Sequence, residues 1–175
     1  PLTSIEKDRL VVLFLSFILV IVFWGAFEQA GGLMNIYASE KTDRLLMGWL
    51  VPASWFQSLN AMFIIFLGTS VAMFWAKRKL KNQLSSSLFK MIIGLIIMGT
   101  GFFFMSAAAT QYETDGSSAM YWLVLAYLFH TIGELCISPV ALSFITKLAP
   151  LKYASLTMGV YFAMTGFGNK LAGWL

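Results

Sequence analysis

The chain has 175 residues, of which 59% are hydrophobic, 16% aromatic and only 11% charged. A soluble domain carries about 25% charged residues, so there are too few charges here to cover an aqueous surface; this excludes a soluble enzyme, a nucleic-acid-binding module and a disordered segment. The formal net charge of +4 indicates no nucleic-acid partner, because the basic residues gather at the ends of apolar runs.

Five apolar stretches are each long enough to cross a hydrocarbon core of about 30 Å, and they predict one transmembrane helical fragment over residues 1–175. The first runs from Leu10 to Asn35 with a single charge, Glu28. Its Trp24, Phe27, Glu28, Gly31 and Asn35 fall at i, i+3, i+4, i+7 and i+11, on one face of a helix. It is too long for a signal peptide and has no small-residue cleavage pattern. The second, Pro52 to Ala76, is uncharged and carries Gln57 and Asn60 one turn apart. The third is Met91 to Ala109. The fourth, Ala119 to Ala149, places His130, Glu134 and Ser138 at i, i+4 and i+8. Pro139 follows; it has no N–H, so the carbonyl of Leu135 loses its helical donor and a bend is expected there. The fifth, Ala154 to Leu175, repeats Thr157, Tyr161, Thr165 and Asn169 at every fourth position and holds Lys170. The strict alternation of a strand barrel is absent.

The loops assign an orientation. With the N-terminus in the cytoplasm, the inner side holds Lys7, Arg9, Lys77, Arg78, Lys79, Lys81, Lys90, Lys147 and Lys152, nine basic residues against Lys41 and Arg44 outside. That asymmetry is what the positive-inside rule demands. Trp49, Trp55, Trp75 and Trp122 lie near span ends, where aromatic belts form. The Lys77–Lys81 cluster serves first as a topology determinant and could also attract anionic headgroups. Five helices with several polar faces would set those faces against lipid, so the chain reads as part of a larger bundle, in the plasma (inner) membrane.

An ionised side chain at mid-bilayer costs roughly 2.5–3.5 kcal/mol on insertion scales, which makes Glu28 and Glu134 the sharpest signals. Their plainer reading is a static ion pair. Gln57, Thr157, Thr165 and Asn169 suit helix-to-helix hydrogen bonding, worth about 0.6 kcal/mol each, and a lone His130 suits packing. One His and one Cys, Cys136, give neither a metal site nor an internal disulfide. No GxSxG, HExxH, CxxC or Walker pattern occurs, so an enzyme is not expected. The chemistry on offer is binding and protonation.

Four segments carry a family resemblance. FWGAFEQAGGLMNIYA (Phe23–Ala38) resembles the seventh helix of the proton-dependent oligopeptide transporters of the major facilitator superfamily, and WFQSLNAMFIIFLGT (Trp55–Thr69) the eighth. GELCISPVALSFITKLAP (Gly133–Pro150) is similar to the tenth, and MGVYFAMTGFGNKLAG (Met158–Gly173) to the eleventh. The resemblance covers essentially the whole chain and implies helices seven to eleven of twelve, without the N-terminal half. It implies symport of di- and tripeptides with protons by alternating access, with the proton gradient as energy source and no cofactor. It also implies that Glu134 meets the peptide amino terminus and Ser138 lines the same pocket. Trp24, Phe27, Asn60 and Tyr161 match positions that shape that pocket. Glu28 sits where the family has an acid that pairs with an arginine of the first helix in gating and proton coupling. At Tyr161 many members have Trp, so an aromatic wall stays but its shape changes. Two other readings remain open: transport of another small solute, such as nitrate or an organic anion, by the same fold, and a non-transporting membrane scaffold.

Overall fold

The computed structural model describes residues 3–149 and 151–174. Pro150, which closes the KLAP run, lies outside the described residues, as do Pro1, Leu2 and the last residue of the fifth predicted span, Leu175. The architecture is all-helical, as the apolar periodicity predicts. Helix α1 spans Ser4–Phe27, α2 Leu33–Glu40, α3 Trp55–Leu80, α4 Ser87–Asp115, α5 Met120–Leu148 and α6 Ala154–Ala172.

The first span begins at Ser4 rather than Leu10, because Thr3 and Glu6 form a reciprocal cap. The Thr3 hydroxyl accepts from the Glu6 N–H at 3.3 Å, while Glu6 Oε2 accepts from the Thr3 N–H at 2.8 Å. The same span is not one helix. After Phe27 the chain makes a single 3₁₀ turn, Glu28–Ala30, and then restarts as α2 beyond Gly31 and Gly32. Two consecutive glycines resist helix formation, since ordering each costs more backbone entropy than any other residue. The continuous face expected to run from Trp24 to Asn35 is therefore broken at Glu28.

Four segments among the described residues are long and apolar enough to cross a membrane: Ser4–Glu40, Trp55–Leu80, Ser87–Asp115 and Met120–Leu148. The fifth predicted span is the helix α6, 19 residues long, and it is not among those four. Its threonines and glycines, with Asn169 and Lys170, dilute its apolar content. Pro139 stands inside α5 without ending it.

The chain divides into two compact units, Gln29–Ile137 and the pair of segments before and after it. Both divisions fall beside backbone signals of the sequence, the Gly31–Gly32 break and Pro139. In the flanking unit α1 packs on α6, burying Leu13, Phe17, Val20 and Phe23 from one side and Thr157 and Tyr161 from the other. Close approach is possible because Gly168 has no side chain: a Cβ there would lie 2.8 Å from the Ile21 carbonyl oxygen and 2.8 Å from Trp24 Cβ.

In the central unit α2, α3 and α5 bury Met34, Ala38, Phe56, Leu123, Ala126 and Tyr127 together. The α4–α5 seam is cut by Gly133, where a Cβ would stand 2.6 Å from the Gly94 carbonyl oxygen. Two-residue ladders tie the loops: Thr42–Asp43 pairs in parallel with Ser118–Ala119, and Leu45–Leu46 pairs antiparallel with Trp49–Leu50. Arg44 fastens the second ladder, with Nη1 donating to the Val51 carbonyl at 2.7 Å.

Candidate functional site

In the central unit a polar thread runs along α5. Tyr127, Thr131 and Glu134 fall at i, i+4 and i+7, on one helical face. Asn60 on α3 faces them and uses both N–H bonds of its amide, donating to Glu134 Oε2 at 2.8 Å and to Thr131 Oγ1 at 3.1 Å. Thr131 donates in turn to the Tyr127 carbonyl at 2.7 Å. The Tyr127 hydroxyl donates to the carbonyl of Ala30 at 2.8 Å. Ala30 closes the 3₁₀ turn after α1, where a broken helix leaves carbonyls without intrahelical donors. The break in the first span thus has a polar partner on α5.

Glu134 is half-buried. A carboxylate has about four lone-pair sites, and Asn60 takes one of them. The remaining sites can receive an ammonium group or a proton, with the carboxylate held in one orientation by an uncharged donor.

In the flanking unit the predicted aromatic residues come together. Trp24 and Phe27 meet edge to face at 5.7 Å between ring centres, and Phe23 closes the cluster at 5.3 Å from Trp24. Tyr161 is buried beside Trp24, and the Thr165 hydroxyl donates to its backbone carbonyl at 3.1 Å. Glu28 is half-buried at the start of the turn after α1, and Ser138 is half-buried on α5.

The structure therefore joins Asn60 with Glu134, and Trp24 with Phe27 and Tyr161. It does not place His130 among them. His130 is 1% exposed and packs on the Phe102 ring at 4.6 Å, and neither ring nitrogen has a hydrogen-bond partner. Its neighbour Thr131 takes the role of Glu134's polar companion. Gln57 and Asn169 are exposed and Thr157 is buried.

Sequence reasoning missed Tyr127 and Thr131. Their spacing to Glu134 was readable, but a tyrosine and a threonine in an apolar run have no charge to mark them. Tyr127→Phe removes only the hydroxyl and leaves the Ala30 carbonyl without its donor. We expect a loss of about 1–3 kcal/mol, the cost of an unmet buried acceptor, read as a lower melting temperature in detergent. Among the described residues no group of three or more His, Cys, Asp or Glu is placed to hold a metal ion.

The sequence profile of the POT family matches residues 3–175. A peptide transporter of Yersinia enterocolitica, YePEPT, is 38% identical over 170 residues, covering 96% of this chain and 33% of its own length. A di-/tripeptide transporter of Lactococcus lactis subsp. cremoris is 31% identical over 164 residues, covering 91% of this chain and 32% of its own. Among solved structures, the peptide transporter POT in complex with sulfate superposes with a TM-score of 0.82 at 31% identity, covering 98% of this chain and 34% of that one. A POT family transporter in complex with 5-aminolevulinic acid gives 0.82 at 28% identity, covering 98% and 35%. The chain spans about a third of the length of these relatives.

Proposed function

The chain belongs to the POT family, and on that premise we propose that it supplies part of the binding cavity of a proton-coupled symporter of di- and tripeptides. The observation that carries this reading is the hydrogen bond from Asn60 to Glu134. It leaves a half-buried, oriented carboxylate whose other lone pairs can receive a cation, and the amino terminus of a peptide is such a cation. Trp24, Phe27 and Tyr161 offer flat apolar surface to side chains, and the Ser138 hydroxyl offers a further hydrogen bond to the peptide backbone.

A zwitterionic peptide also needs a cation for its carboxylate. This chain has no mid-span Lys or Arg apart from Lys170, near the end of α6, so that cation comes from other helices of the protein. Sites shared between helical halves near the midplane are the usual arrangement in secondary transporters. Glu28, at the turn after α1, exchanges between a proton and an arginine partner, and this exchange couples proton uptake to opening and closing of the cavity. The energy source is the electrochemical proton gradient, in which the potential contributes about 2.3 kcal/mol per charge per 100 mV. The protein lies in the plasma (inner) membrane with residue 3 on the cytoplasmic side, as the basic loops demand.

The test is uptake of labelled dialanine by liposomes containing the protein that carries this sequence, under an imposed pH gradient. Accumulation above equilibrium that a protonophore collapses is the expected result; absence of uptake by folded protein overturns the peptide reading. Competition separates the substrate classes. Dialanine should compete and nitrate should not, and 5-aminolevulinic acid, which shares the amine and carboxylate of a peptide, should compete weakly. Glu28→Gln is expected to abolish gradient-driven accumulation while leaving counterflow exchange of peptide intact. Normal accumulation by that variant removes Glu28 from the coupling.

A further inference from the structure

Apart from the Asn60–Glu134 pair, the central unit holds a cavity of about 330 Å³ between α3, α4 and α5, with Val71, Ile93, Ile97 and Ile132 in its wall. Phe74, Trp75 and Cys136 also line it. Trp75 is 7% exposed, and its buried indole N–H has no oxygen or nitrogen acceptor, only the weakly accepting Cys136 sulfur beside it. Such a donor is costly to leave unmet. Tryptophans at span ends ordinarily meet an acceptor at the headgroup level of the bilayer.

Two cations stand over the aromatic rings of this cleft. The Lys90 ammonium is 5.4 Å from the centre of the Trp75 ring. The Arg78 guanidinium is 5.8 Å from the ring of Phe74 and 5.8 Å from that of Phe89, which itself meets Trp75 edge to face at 6.3 Å. Arg78 Nε donates to the Leu84 carbonyl at 3.2 Å. That bond fixes the guanidinium, which has four further N–H donors. Lys77, Lys79 and Lys81 are exposed at the same end of α3.

An apolar cavity of this kind is a poor host for water, and a free inorganic anion at the cations would leave its wall uncovered. An amphiphile with a negative headgroup and an acyl chain satisfies both parts. We propose that this cleft binds one anionic phospholipid from the leaflet on the side of the α3–α4 loop. The acyl chain enters the cavity, the phosphate sits between Arg78 and Lys90, and a headgroup or ester oxygen accepts from the Trp75 N–H.

The test is native mass spectrometry of the purified protein in micelles containing phosphatidylglycerol and phosphatidylcholine in equal amounts. One phosphatidylglycerol retained in preference to phosphatidylcholine is expected. Arg78→Gln combined with Lys90→Gln should lower that retention about tenfold or more. Lys77→Gln combined with Lys79→Gln removes the same charge away from the cavity and should leave retention unchanged. Val71→Phe keeps every charge but fills the cavity, and should also lower retention. Equal loss in the two charge-removing pairs means diffuse attraction to a basic loop and overturns the proposal. So does equal retention of the two lipids, or full retention by Val71→Phe. The three variants are independent, so misfolding of one leaves two readings that still decide.

Discussion

Glu134→Gln is expected to abolish accumulation of dialanine while leaving the protein folded. Gln has the shape of Glu, and its side-chain oxygen still accepts the 2.8 Å hydrogen bond from Asn60, so the polar thread through Thr131 and Tyr127 survives. Only the charge is lost, and with it the partner for an ammonium group. Removing one member of a buried, hydrogen-bonded charge pair costs about 2–5 kcal/mol, which is between roughly 30-fold and several thousandfold in affinity. The measurement is uptake and equilibrium peptide binding by the variant, beside its melting temperature. Unchanged binding with unchanged melting would remove Glu134 from the substrate site and favour a scaffold role for the acid. Loss of both together would make it a structural tie.

The second large effect is expected in stability. Gly133→Val puts a Cβ 2.6 Å from the Gly94 carbonyl oxygen, 2.9 Å from Met98 Cβ and 3.1 Å from the Met98 nitrogen. Two of those three atoms are backbone, so no side-chain rotation relieves the clash and α4 and α5 have to separate along the seam. Overpacking a core typically costs about 1–3 kcal/mol and occasionally more, and this site belongs at or above the top of that range. At about 2–4 °C per kcal/mol for a chain of this size, melting in detergent should fall by roughly 6–12 °C. Gly99→Val is the control: Gly99 is on α4 too, and a Cβ there meets nothing within 4 Å. Equal melting of the two variants would show that the seam does not hold α4 against α5.

The sequence was legible wherever the signal was carried by residue type and spacing along one element. A run of about 20 apolar residues has few fates besides a membrane, so the spans could be placed before any packing was known. The acids Glu28 and Glu134 and the family segments were readable for the same reason: each is local in the chain. The Gly31–Gly32 pair was legible as well, yet its effect was not, because the stretch stays apolar through it and hydropathy cannot see a backbone turn.

What only the tertiary structure decided was which neighbours each helical face meets. Successive residues on a helix point about 100° apart, so His130 and Thr131 look in different directions from the same turn. Their spacing to Glu134, i+4 and i+3, makes both equally plausible companions on paper. The choice fell to Thr131 because α3 brings Asn60 to that side, while α4 presents Gly101 and Phe102 to His130. In the same way the i+4 repeat of Tyr161 and Thr165 was visible, but bringing Tyr161 beside Trp24 needed α1 and α6 to close over Gly168. Periodicity gives each helix its polar stripe. Only contact between helices separated by tens of residues in the chain determines which stripe becomes a site.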